Sequence, residues 1–192
     1  MDGIPFFTGL VIMDYNPIIS ISTAALEIGA AVWALRGPGR RSIVIPASVI
    51  LLLLAAYQVV EAVICTATFG ATSVFSFLPR LAFIVVAWLP PTGLLLVAQL
   101  YPGRKILLRG YAYAMYLVCA GLVLAIARDT HFVSATVCEI VFARFSNPTP
   151  LYGAYGMFYQ SGLFAMLLIS AYGVTIAGDN RQRLLLGQML LG

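Results

Sequence analysis

The chain has 192 residues, 61% of them hydrophobic and only 9% charged, with a mean hydropathy of +0.98. Soluble globular domains carry about 25% charged residues, so the composition excludes that class and makes a bilayer the expected solvent. The net charge of +4 is small and segregated along the chain, which speaks to orientation rather than to nucleic acid.

Apolar runs of about 20 residues point to helices, because a transmembrane β-barrel would show alternating segments of about 10. The expected fold is all-α: a polytopic transmembrane bundle of five full helices plus the start of a sixth, forming one integral membrane domain over residues 1–192. Residues 1–16 hold an apolar patch between Asp2 and Asp14 that is too short to span, and they read as an interfacial stub. Met1-Asp2-Gly3 lacks the basic opening of a signal peptide, so the first helix is expected to be retained. That helix covers about 17–36, with Pro17 in its first turn, and Gly37-Pro38-Gly39 ends it. The next helices cover about 43–68, 74–101, 107–127 and 151–177, and a polar-apolar segment over 128–150 separates the fourth from the fifth. Residues 184–192 open a sixth helix of about 13–14 Å, short of the ~30 Å hydrocarbon core. It is expected to continue in a longer chain or, alternatively, to lie on the membrane.

The cations sort by side. Arg36, Arg40, Arg41, Arg104, Lys105, Arg109, Arg181 and Arg183, eight of the eleven, flank the ends of the first, third and fifth helices. The positive-inside rule then places these loops in the cytoplasm and the N-terminus and segment 128–150 outside. The expected location is the cell membrane, inner or plasma, with multiple passes.

Three residues interrupt the apolar pattern. Glu61 and Arg80 each lie roughly 10 Å below the outer boundary at 1.5 Å per residue, on helices joined by a short turn at 69–73. They are expected to pair, since a lone charge at that depth is costly. Gln58 shares the Glu61 face at i, i+3, with Tyr57 beside it. Tyr152, Tyr155 and Tyr159 form a stripe on the fifth helix, readable as an aromatic belt or as the wall of an outward ligand site. The candidate ligand-binding set is therefore Gln58, Glu61, Arg80, Tyr155 and Tyr159, around an outward polar pocket between the second, third and fifth helices. The competing reading makes these polar groups helix–helix glue, and Glu27, mid-way along the first helix, either joins the cluster or is protonated. Pro90 and Pro91 break the third helix and free carbonyls near Val86 and Ala87, forming a structural kink or a hinge.

Cys65, Cys119 and Cys138 are odd in number and widely spaced, which argues against a disulfide framework and for buried small side chains. His131, with Asp129, Cys138 and Glu139, reads as a solvated loop, so no metal is expected. The single histidine lies in a loop and the single lysine, Lys105, in another, which argues against bis-histidine haem and Schiff-base pigments. No phosphate-binding glycine loop, nucleophile elbow or zinc-protease motif is present, so neither an enzyme nor a cofactor is expected.

The order Arg80-Leu81-Ala82-Phe83, Trp88-Leu89-Pro90-Pro91, Leu100-Tyr101-Pro102-Gly103-Arg104-Lys105, Thr130-His131, Pro150-Leu151-Tyr152 with Tyr159, and Arg181-Gln182-Arg183 with Gly187 resembles the N-terminal seven-helix membrane sensor region of bacterial histidine kinases. Ser20-x-Ser22-Thr23-Ala24, Leu35-Arg36 and Gln58-x-x-Glu61 look like a family of small uncharacterised bacterial multi-pass proteins that carry His-Gln-x-x-Glu on the second helix. Tyr57 stands where that histidine would be. Both resemblances imply an N-out chain of six or seven helices. The functional expectation is a non-enzymatic sensory or ligand-binding membrane module. Its alternatives are a structural or assembly subunit of a larger membrane complex and a small-solute transporter. Expected partners are the lipid bilayer and other membrane chains or copies of this one.

Overall fold

The structure, a computed structural model, describes residues 15–66, 77–103, 105–139 and 142–191. Residues 1–14 of the expected stub at 1–16, the turn at 69–73 and Arg104 lie outside the described residues. Asn16 opens the first helix: its side chain accepts the Ile18 N–H at 3.1 Å, and Pro17 takes a first-turn position where no N–H is needed. The helix α1 then runs Pro17–Arg36 and ends at Gly37, whose N–H reaches the Trp33 and Ala34 carbonyls. A short turn leads into α2, Arg41–Thr66, which starts earlier than the apolar run suggests because Ile43 and Val44 already donate to the Arg40 carbonyl.

The third expected helix is divided in two. α3 covers Leu78–Ala87 and α4 covers Leu89–Leu100, with Trp88 between them. Pro90 and Pro91 thereby fall in the first turn of α4, where absent N–H groups leave no gap in the ladder. α5 follows over Lys105–Arg128, α6 over Pro150–Ile176 and α7 over Asn180–Leu191. The fold is mainly helical, and five segments are long and apolar enough to cross a membrane: α1, α2, α3–α4 taken together, α5 and α6.

One feature was not expected from the pattern. Segment 128–150 contains an antiparallel hairpin, β1 Ala135–Cys138 and β2 Ala143–Ser146, with Cys138 directly opposite Ala143.

The α3–α4 segment is the axis of the bundle. It is 56% buried over its apolar window, against 17–22% for the other four. α2 packs on both α3 and α4, α5 on both as well, and α6 on α4 and α5; α7 leans on α6 and α4, and α1 lies outside against α2. Small residues allow that outer pairing: Ser20, Ala24 and Ala31 are buried, and the Ser48 hydroxyl donates to the Ala31 carbonyl. Most of the remaining α1 surface is exposed and apolar, including Ile18, Leu26 and Trp33. Gly162 of α6 sits so close to α4 that an added Cβ would come within 2.5 Å of the Pro90 Cβ.

Candidate functional site

The helix break is closed from the side. Pro91 cannot donate to the Ala87 carbonyl four residues back, and the Cys119 thiol of α5 does so instead, at 3.2 Å. The Thr92 hydroxyl bonds the Trp88 carbonyl at 2.7 Å and the Tyr116 hydroxyl at 2.8 Å. The interruption is therefore a satisfied, buried joint, with Pro90 and Pro91 both enclosed.

Glu61 and Arg80 do not form the expected ion pair. Glu61, 2% exposed, accepts a hydrogen bond from the Ala143 N–H of β2. Arg80, 7% exposed, donates from Nη1 to the Ala127 carbonyl at 2.9 Å and the Asp129 carbonyl at 3.5 Å, and lies 5.4 Å from the Phe77 ring. Both charges are met by backbone at the ends of other elements. For Arg80 the reason is plain: the last carbonyls of α5 have no intrahelical donor, and the helix dipole favours a cation there. Gln58 is half-buried and makes no hydrogen bond with the described residues.

The cysteine expectation holds for Cys119, which is free and buried, and is overturned for the other two. Cys65 and Cys138 form a disulfide with a Cα–Cα distance of 5.7 Å, across a sequence separation of 73. Spacing alone conceals this pair, because the folding of α2 against the hairpin is what brings the two residues together. Cys65 lies one turn beyond Glu61 on α2, and Cys138 lies opposite Ala143 in the hairpin. One rung of the hairpin is thus held to one face of α2 twice, by a covalent bond through β1 and by a carboxylate through β2. Cys138 is consequently removed from the loop set around His131. There the Asp129 carboxylate accepts the His131 backbone N–H at 2.9 Å.

Beneath the clamped hairpin lies a cavity of about 280 Å³, walled by α2, α3, the start of α4, β2 and α6. Five of its lining residues are aromatic: Tyr57, Phe83, Phe145, Tyr155 and Tyr159. Phe83 is their hub, in edge contact with Phe132 at 5.1 Å, Phe145 at 5.2 Å and Tyr155 at 5.4 Å. Tyr155 stacks on Tyr152 at 6.4 Å and on Tyr159 at 6.0 Å, so the stripe on α6 is a ladder of rings. Its inner members face the chamber, and Tyr152, 42% exposed, remains at the surface. Of the expected ligand residues, Tyr155 and Tyr159 line this chamber, whereas Glu61 and Arg80 secure its outer end. Phe83 entered the sequence reading only within the Arg80-Leu81-Ala82-Phe83 resemblance and Phe145 not at all, because isolated phenylalanines in apolar runs carry no spacing that marks a site.

No family model, curated protein or solved structure matches the chain. Chemically, the described lining offers ring faces, three tyrosine hydroxyls and no charged side chain. It suits a small, largely apolar guest with an aromatic or ring-shaped body.

Proposed function

We propose that this chain is a multi-pass sensory or ligand-binding module of the cell membrane, and that its ligand is a small lipophilic ring compound held in the chamber between α2, α3 and α6. The observation that carries this reading is the ring-lined cavity placed directly beneath a clamped hairpin. The α3–α4 joint, with its proline first turn, lies along the wall of that chamber and connects it to the opposite end of the bundle.

Two independent arguments support an orientation with the hairpin outside. A disulfide is favoured in an oxidising compartment, which supports an outer hairpin. The basic loops gather at the other end, which the positive-inside rule assigns to the cytoplasm.

The test uses purified protein in nanodiscs and 1-naphthol as the probe, followed by the fluorescence of Trp88, whose neighbour Leu89 lines the chamber. In a Trp33→Phe background, which leaves Trp88 as the single indole, saturable quenching is expected for the parent chain and loss of it for Val86→Phe and Tyr159→Ala, with helical content unchanged. Identical titrations for all three proteins would end the reading.

A second reading, a subunit of a larger membrane assembly, draws on Glu27, whose Oε2 is buried without a hydrogen-bond partner among the described residues. An intramembrane carboxylate normally finds a partner, and a neighbouring chain could supply one. Crosslinking from a photoreactive residue at position 28 separates the readings: a stoichiometric protein adduct lost in Glu27→Leu supports the subunit.

A further inference from the structure

Two further cavities lie at the basic end, away from the aromatic chamber and independent of its occupant. A cavity of about 570 Å³ opens there between the turn before α2, the end of α4 and the start of α7, with Arg40, Ile43, Gln99, Asp179 and Gln182 on its walls. A second cavity of about 570 Å³ lies deeper and is almost wholly apolar, walled by Ala47, Leu51, Leu96, Leu163, Met166 and Gln188. The two use successive turns of the same helix faces. On α2, Ile43 leads to Ala47 and then Leu51; on α7, Gln182 leads through Leu185 to Gln188. From Arg41 to Leu51 the α2 wall is about 15 Å long at 1.5 Å per residue, half of a hydrocarbon core of about 30 Å. The region therefore has a polar mouth at the membrane boundary and an apolar floor one leaflet deep.

Charge says what fits the mouth. Arg36, Arg40, Arg41, Lys105, Arg109 and Arg183 all lie at this end. The only acid among the described residues there is Asp179, which is already engaged. Arg41, Lys105 and Arg183 donate to the carbonyls of Leu35, Gln99 and Ala177, and Arg109 donates to the Gln99 side chain, so none of these four charges is neutralised. Arg40 is exposed at the cavity wall, and its guanidinium has no partner among the described residues.

We propose that this region seats one anionic phospholipid from the leaflet at the basic end. Its phosphate lies at Arg40, and an acyl chain lies against Ala47, Leu51, Leu96 and Met166. Basic pockets between helices at the membrane boundary recognise anionic headgroups in this way, and the apolar floor distinguishes a lipid from a free anion.

The test is native mass spectrometry of the delipidated protein titrated with dioleoyl-phosphatidylglycerol, with dioleoyl-phosphatidylcholine as the uncharged-headgroup control and inorganic phosphate as the chain-free arm. One phosphatidylglycerol is expected to bind ahead of the rest. Arg40→Gln should weaken it about fivefold, the worth of one basic residue near an anionic surface, and leave phosphatidylcholine unchanged. Ala47→Phe should block the acyl chain and displace the lipid; Leu163→Trp does the same from the α6 side if the first variant folds poorly. Equal binding of the two lipids overturns the proposal, as does a phosphatidylglycerol affinity indifferent to Arg40→Gln. Binding of phosphate alone that survives Ala47→Phe, with no phosphatidylglycerol bound ahead of the rest, would overturn the lipid and assign the mouth to a free anion instead.

Discussion

Arg80 brings a permanent charge to the point where α5 runs out of hydrogen-bond donors. Its guanidinium serves the Ala127 and Asp129 carbonyls, so its removal leaves the half-buried Ala127 carbonyl without this donor, while the Asp129 carbonyl keeps the Phe132 N–H at 3.3 Å. Arg80→Leu should lower stability by about 1.5–3 kcal/mol, the range for hydrogen bonds to charged groups. Thermal unfolding in detergent reads this directly, and an unchanged midpoint would refute the capping role. Cys119 has a similar but weaker duty toward the Ala87 carbonyl. Cys119→Val should therefore destabilise the joint, and adding Pro91→Ala should recover part of the loss by restoring a backbone N–H four residues on. A double-mutant cycle with no coupling would remove that account. That Glu61 and Arg80 would be buried and partnered was legible from their depth in apolar sequence. Their actual partners were not, because backbone acceptors and donors at the ends of distant elements leave no mark on side-chain spacing.

At the scale of elements, the hairpin has too little surface to be stable alone, since each strand is four residues long. Its position depends on the clamp through Cys65 and Glu61. Cys65→Ser combined with Glu61→Leu should raise amide exchange over residues 135–146, while the helices remain protected. Exchange no faster than in the natural chain would show that other contacts hold the hairpin. Close packing supports the far wall of the chamber: Gly162→Ala would press a methyl group against the Pro90 ring, at an expected cost of about 1–3 kcal/mol. A chemical-denaturation series at fixed detergent measures this. The helices were legible because their length and apolar content leave one solution in a bilayer. The hairpin was not, since residues 139–142 carry none of the Asn-Gly or Asp-Gly chemistry that announces a tight turn. The division of the third helix was legible at Pro90-Pro91. Its placement at Trp88, one turn earlier, follows from where proline is tolerated.

For the whole molecule, the disulfide and the cation distribution make one prediction between them. A membrane-impermeant maleimide applied to intact cells should label cysteines introduced at Val137 or Arg144, and fail to label one introduced at Gly39 until the membrane is opened. The reverse pattern would invert the assigned orientation. The hairpin has a further consequence, because of what it joins. It leaves α5, enters α6 and is fastened to α2, so it straps two walls of the α2–α6 cleft together at one end only. Lateral separation of those walls is then confined to the opposite end. A strap at one end acts on paired walls as a pivot does, so any parting of α2 from α6 would reach the hairpin as rotation rather than as opening.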